Sequence, residues 1–291
     1  METKFISFGD GSIHFRRAAI RIEKQARESK VFNNVHVFNL KKLNRIYPDF
    51  YKKHGRFITE EPKGFGRWIW KIYLCQQFAS RNDGCNYLYL DSGSYLNFES
   101  KNALLRFNTY LEILNSQPIL AFQLRSFQFN SNTSEHLFSR EDLINRIGSS
   151  KNHTESNQIE ATHIFFKSGI QSQTFFDEWM EVAQESNYHF LRPINNDNLQ
   201  LNLNTYRYDQ SIFSLLYKKY NYLALTNETW FSPDWDTTGV NYPIWAIRNR
   251  TGVDPFKFRI RDIFETIEIR HKIWRKIRNK IFGNFFNKLR N

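Results

Sequence analysis

The opening of the chain constrains its fold more than any other feature. Lys4 to Phe8 reads as a strand that stops at Gly9-Asp10-Gly11, a turn signal. Ser12 stands where it can cap a helix, and Phe15, Ala18, Ala19, Ile22 and Ala26 then fall on one helical face. Val35 to Phe38 reads as a second strand. A strand, a crossover helix and a strand predict the start of a parallel α/β sheet with a right-handed connection.

The same grammar continues. A helix is expected over Arg67 to Ala79, with Trp68, Ile72, Cys75 and Ala79 on one face, ended by Asn82-Asp83-Gly84. Tyr87 to Leu90 is a short strand that stops at the polar loop Asp91-Ser92-Gly93-Ser94. Helices are expected at Lys101 to Leu114, Gln171 to Glu185 and Asp209 to Tyr220, with strands at Ile119 to Phe122 and Thr162 to Lys167. The polar stretch Asn130 to Ser156, with one amphipathic piece at Glu141 to Ile147, reads as an excursion over the active face that could act as a mobile lid. The expected organisation is a catalytic domain over residues 1–255 and a basic amphipathic helical tail over 256–291.

The 291 residues suffice for one large domain or two modest ones, apolar residues at 41% supply a core, and a charged fraction of 24% argues against global disorder. The two cysteines, Cys75 and Cys85, have no zinc spacing around them and fit a reducing compartment. No secretory signal and no long apolar span is read, so the expected location is cytoplasmic. The net charge of +12 is uneven: Arg270 to Asn291 holds eight Lys and Arg and no acid. Ile267, Trp274, Ile277, Ile281 and Phe285 share the apolar face of that tail, which fits an anionic membrane surface and a peripheral place on the inner face of the plasma membrane.

In an open α/β sheet, ligands bind beyond the carboxyl ends of the strands. Two such ends carry suitable chemistry: Ser7-Phe8-Gly9-Asp10, which can hold a base and ribose, and Asp91-Ser92-Gly93, which can take a divalent ion bridging a diphosphate. Such an ion would neutralise charge building on a leaving nucleotide.

Three ordered blocks carry a resemblance: Gly64-Phe65-Gly66-Arg67-Trp68-Ile69-Trp70-Lys71, Tyr89-Leu90-Asp91-Ser92-Gly93 and Arg207-Tyr208-Asp209-Gln210-Ser211. Together with the opening strand, they resemble bacterial GT-A-type glycosyltransferases of surface polysaccharide assembly, the enzymes of capsule and lipopolysaccharide gene sets. The resemblance implies an α/β GT-A-like fold, a mostly parallel sheet flanked by helices, to which the C-terminal amphipathic helix is added. It implies a nucleotide-sugar donor and a glycan or lipid-linked glycan acceptor. Asp91 would match the first acid of the superfamily's Asp-x-Asp motif, while Gly93 replaces the second. Either Asp91, the diphosphate and water hold Mn2+ or Mg2+, or Arg67 and Lys71, one helical turn apart on one side, neutralise the phosphates; the divalent ion is the reading adopted. Ser7, Phe8, Gly9, Asp10, Arg67, Trp70, Lys71, Asp91, Ser92, Gly93 and Gln210 are the expected donor-binding residues, with Asp91 and Asp209 catalytic and Asp209 the candidate acceptor base. Two competing functions are a non-catalytic relative of this fold that binds glycans and a basic nucleic-acid-binding protein. The second is disfavoured because the body lacks a basic stripe interleaved with aromatics.

Overall fold

The computed structural model describes residues 1–125, 132–193, 206–229 and 238–247. The expected tail, 256–291, and the Asn-rich stretch 195–204 lie outside the described residues, as does the domain boundary at 255.

The sheet has six strands in the order β2-β1-β3-β6-β5-β7. These are β1 (Thr3–Phe8), β2 (Asn34–Phe38), β3 (Asn86–Leu90), β5 (Ile119–Gln123), β6 (His163–Lys167) and β7 (Ala224–Thr226). β1 pairs in parallel with both β2 and β3, β5 pairs in parallel with β7, and β6 runs antiparallel to its neighbours β3 and β5. The sheet is therefore mostly parallel, with one reversed strand. A second, two-stranded ladder joins β4 (Tyr95–Leu96) to β8 (Ile244–Trp245).

Period-two alternation sends the strand side chains to two cores. From β3, Tyr87 and Tyr89 enter one core and Leu88 and Leu90 the other. Helix α1 (Ile13–Glu28) and helix α6 (Lys101–Ile113) cover the Leu88 face through Ala19, Ile22, Ala26, Phe107 and Tyr110. The opposite face is covered by α3 (Pro48–Glu60), α5 (Ile69–Ala79), α9 (Ile170–Tyr188) and α10 (Tyr208–Lys219), which contribute Phe50, Phe57, Ile72, Phe78, Trp179 and Phe213. Ser12 caps α1 as read from the sequence, accepting from the Phe15 amide. Phe15 itself is not core: it is 40% exposed, and the buried long side chain on that helix is Arg21.

Sequence reading gave no structure between Phe38 and Gly64. The chain there forms α2 (Leu40–Ile46), capped by Asn39, and α3, entered through Pro48 at its first turn. Proline at that position and the pair Phe57 and Ile58, about two turns after Phe50, are the local signals for α3.

The excursion before β6 is fastened rather than loose over its described part. Glu135 is fully buried and accepts from Ser139, Gln158, Ser214 and the Lys218 ammonium of α10. The ammonium also donates to the carbonyls of His153 and Ser156, which close α8 (Lys151–Glu155). Ahead of it, α7 spans Glu141–Ile147 and ends in a left-handed Gly148.

Topology gives the position expected for a ligand. β1 hands its chain to β2 on one side, whereas β3 leads through β4 and α6 to β5 on the other. The connections diverge between β1 and β3, and a crevice at such a point is where an open α/β sheet binds its ligand.

Candidate functional site

The carboxyl ends of β1 and β3 are bound to each other beyond their ladder. Ser7 Oγ donates to the Leu90 carbonyl at 2.6 Å. Just past β1, a side chain at Gly9 would lie 2.6 Å from the Phe15 carbonyl oxygen, 2.7 Å from Ala19 Cβ and 3.2 Å from Ser92 Oγ. Glycine is required here because α1 and the loop after β3 close directly onto the backbone. Asp10 spends both carboxylate oxygens on backbone: Oδ1 accepts from the Gly11 amide and Oδ2 from the Leu40 amide at the start of α2. Phe8 stacks on Trp70 with ring centroids 3.9 Å apart, and both are buried, so this pair forms a wall. Trp70 also donates its indole N–H to the Gly64 carbonyl.

The helix expected from Arg67 begins two residues later, behind a turn of unusual backbone. Five consecutive residues have positive φ: Gly64 (64°), Phe65 (54°), Gly66 (75°), Arg67 (50°) and Trp68 (66°). The helix-like turn α4 (Gly64–Arg67) is thus left-handed, and α5 starts only at Ile69. For Phe65, Arg67 and Trp68 this conformation costs roughly 1–2 kcal/mol each. Packing and bonding hold it in place. A side chain on Gly66 would meet Ile58 Cγ1 at 2.9 Å, and Arg67 donates through Nε to Glu61 at 2.9 Å while its guanidinium lies 4.6 Å from the Tyr208 ring centre. Backbone strain of this kind gathers at functional sites. One expectation is corrected by it: Arg67 and Lys71 are not one turn apart on a single helix. Arg67 belongs to the left-handed turn and pairs with Glu61, and only Lys71 projects from α5 into the site.

Lys71 joins two parts of the chain far apart in sequence. Its ammonium lies 2.9 Å from Asp209 Oδ2 and 3.6 Å from Asp91 Oδ1. The Lys71 and Asp209 side chains are each 6% exposed, while that of Asp91 is 37% exposed. Burial works against the charge on Lys71, but the two aspartates outweigh it and hold its pKa up at about 12. Burial pushes the Asp209 carboxyl up, against the pull of Lys71. Asp209 Oδ2 faces the ammonium outside hydrogen-bond geometry and has no other hydrogen-bond partner among the described residues. Tyr89, at the end of β3, donates its hydroxyl to Asp91 Oδ1 at 2.5 Å; burial, then the aspartate, pushes the phenol well above its ordinary range.

The loop after β3 is gripped from α1 by a residue that sequence reading missed. Arg21, buried, donates to the Ser94 carbonyl at 2.9 Å and to the Ser92 carbonyl at 3.0 Å. The Asp91 amide donates to the Thr162 carbonyl and the Ser94 amide to the Asp91 carbonyl. Nothing in the sequence distinguishes Arg21 from the other cations of α1 except its place in the row Ala18, Ile22, Ala26. Arg21→Met would leave two buried carbonyls without donors, at about 1–3 kcal/mol each. The expected result is faster amide hydrogen exchange over residues 92–96, with only partial rescue by Arg21→Lys, whose single ammonium lacks the guanidinium fork.

Gln210 lies beside Asp209 but its amide is engaged, with Nε2 donating to Gln158 at 2.7 Å and Oε1 accepting from the Ala161 amide at 3.4 Å. Trp179 donates to the Asp209 carbonyl, which fixes the start of α10 against α9. Of the residues named from the sequence, the structure brings Lys71, Asp91 and Asp209 together, ties Ser7 to the end of β3, sets Gly9 against Ser92, and stacks Phe8 on Trp70.

A divalent ion can be accommodated, on limited terms. Mg2+-like ions bind through one or two carboxylates, with substrate phosphates and water completing the shell. Asp91 is partly exposed and its Oδ2 has no partner among the described residues, so it fits that role. No group of three or more His, Cys, Asp or Glu side chains converges on a metal position among the described residues.

No protein-family model and no curated protein sequence matches this chain. Among solved structures, the chain is similar to the crystal structure of a glycosyltransferase involved in the glycosylation of the major capsid of PBCV-1, with a TM-score of 0.42 and 11% sequence identity over 84% of this chain and 92% of that one.

Proposed function

We propose that this protein is a glycosyltransferase that takes a sugar from a nucleotide-sugar donor and moves it to a hydroxyl of a glycan or lipid-linked glycan. The observation that carries this reading is the juxtaposition of Asp91 with Lys71 and Asp209, beyond the strand ends where the sheet connections diverge. Asp91 is the partly exposed carboxylate of the three groups and stands at the end of a β-strand, as a diphosphate-side acid must. A nucleoside at the end of β1 would lie nearest the Gly9 backbone, Ser92 and the stacked Phe8–Trp70 pair. Asp91 would hold a divalent ion through Oδ2, and such an ion supplies neutralisation of the charge on a leaving diphosphate. The left-handed turn before α5 and the Arg21 grip on the loop fix the positions of Lys71 and Asp91 before any ligand arrives, which is the preorganisation such catalysis needs.

The finer reading follows the sequence resemblance: a bacterial enzyme of capsule or lipopolysaccharide assembly, held at an anionic membrane surface by the basic tail. No described helix is long and apolar enough to cross a membrane. The test of the activity is release of nucleoside phosphate from a panel of UDP-, GDP-, CMP- and dTDP-sugars incubated with the full chain and Mn2+. Slow hydrolysis of one donor class supports the reading, and no turnover together with no donor-dependent rise in melting temperature removes it.

A further inference from the structure

The Lys71 ammonium stands 2.9 Å from one aspartate and 3.6 Å from the other. That is the place a cation shared by two carboxylates would take, and a tethered cation already has it. Asp209 is closed off by burial and by Lys71, and Asp91 Oδ1 is engaged by Tyr89 and Lys71. The protein therefore offers a divalent ion one open carboxylate oxygen, Asp91 Oδ2, with no third acidic or imidazole ligand among the described residues. A hard divalent ion wants about six oxygen ligands and gives up its water reluctantly, so one oxygen next to an ammonium does not retain it.

We propose that Lys71 is a built-in cation that keeps free divalent ions out of this site, so that Asp91 accepts an ion only as its complex with a nucleoside diphosphate. The phosphate oxygens then supply the ligands that the missing acid at Gly93 would have supplied. This inference rests on the glycosyltransferase reading for the identity of the diphosphate, but not for the behaviour of Lys71. Removing the ammonium uncovers two neighbouring carboxylates, and these bind an ion without help.

The experiment measures free Mn2+ by its electron paramagnetic resonance signal in solutions of the full chain, with protein-free controls for nucleotide complexes. The wild-type chain alone leaves the free Mn2+ signal unchanged. Addition of the diphosphate that binds, from UDP, GDP, CDP and dTDP, brings one Mn2+ onto each chain, and chelation by EDTA releases the nucleotide. Lys71→Met binds Mn2+ without nucleotide, at least about tenfold more tightly than wild type, and adding Asp91→Asn to it abolishes that binding. The proposal is overturned if wild type binds Mn2+ alone in an Asp91-dependent way, if a diphosphate binds equally in EDTA, or if folded Lys71→Met gains no affinity for Mn2+. Should that variant fail to fold, the wild-type titrations still decide. If no diphosphate binds with or without Mn2+, the glycosyltransferase reading fails separately, while the Mn2+ titrations of wild type and Lys71→Met still judge the lysine.

Discussion

Asp91→Ala is expected to lower donor turnover by about 100- to 1,000-fold, the usual cost of losing one electrostatic group aimed at a developing charge. The fold should survive. Asp91 is partly exposed, and the loop that carries it is held by Ser7, Arg21 and the Thr162 carbonyl rather than by the Asp91 side chain. Tyr89 loses its acceptor, a loss of about 1–3 kcal/mol for a buried hydroxyl that finds no other. Asp209→Ala should behave differently. It strips the buried Lys71 ammonium of its nearest counter-charge, so stability falls together with turnover. Paired measurements of turnover and urea midpoint for the two variants separate these outcomes. Equal turnover in Asp91→Ala and wild type would remove Asp91 from the site.

The largest expected effect on stability lies away from the crevice. Glu135→Ala should cost about 3–5 kcal/mol, because it leaves the Lys218 ammonium buried without a counter-charge. Ser139, Gln158 and Ser214 lose an acceptor in the same step. Burial already pulls the Lys218 pKa down against the attraction of Glu135, so the lysine is poorly placed to stay charged alone. The fall in melting temperature should be on the order of 10 °C. The double variant Glu135→Leu with Lys218→Met should recover much of the loss, since replacing both members of a buried pair with apolar groups is far less costly than removing one. Thermal unfolding of the single and double variants, analysed as a cycle, checks this. Additive losses would show that the pair does not act as a unit.

These two regions also show what could be read from the sequence. The strands β1, β3, β5 and β6 and the helices α1, α6, α7, α9 and α10 fall within a few residues of where hydrophobic period and turn residues place them. Their signals are local. Asp91 was legible because a carboxylate directly after a buried strand stands at a predictable edge of the sheet. Its meeting with Asp209, more than a hundred residues later, was expected only through the block resemblance, and the bridge by Lys71 depends on geometry no periodicity encodes. The left-handed turn reaches into the expected helix at Arg67 and Trp68, because both residues suit a helix and only the pair of glycines before them hints otherwise. Arg21 and Glu135 stayed hidden for a common reason. Each is a charged residue in a segment whose pattern assigns charge to solvent, and each is buried because distant carbonyls or an ammonium meet it there. The small ladder of β4 and β8 joins two-residue strands across about half the length of the chain, and strands so short carry no pattern to read.

On the glycosyltransferase reading, the carboxyl ends of β1 and β3 receive the diphosphate of a nucleotide sugar. Hydrogen-exchange mass spectrometry of the full chain, with and without the nucleotide sugar that raises its melting temperature, tests this most directly. Protection concentrated at residues 7–12 and 90–94, and abolished in Asp91→Asn, is the predicted result. Protection confined to other segments, with these two unchanged, would contradict it.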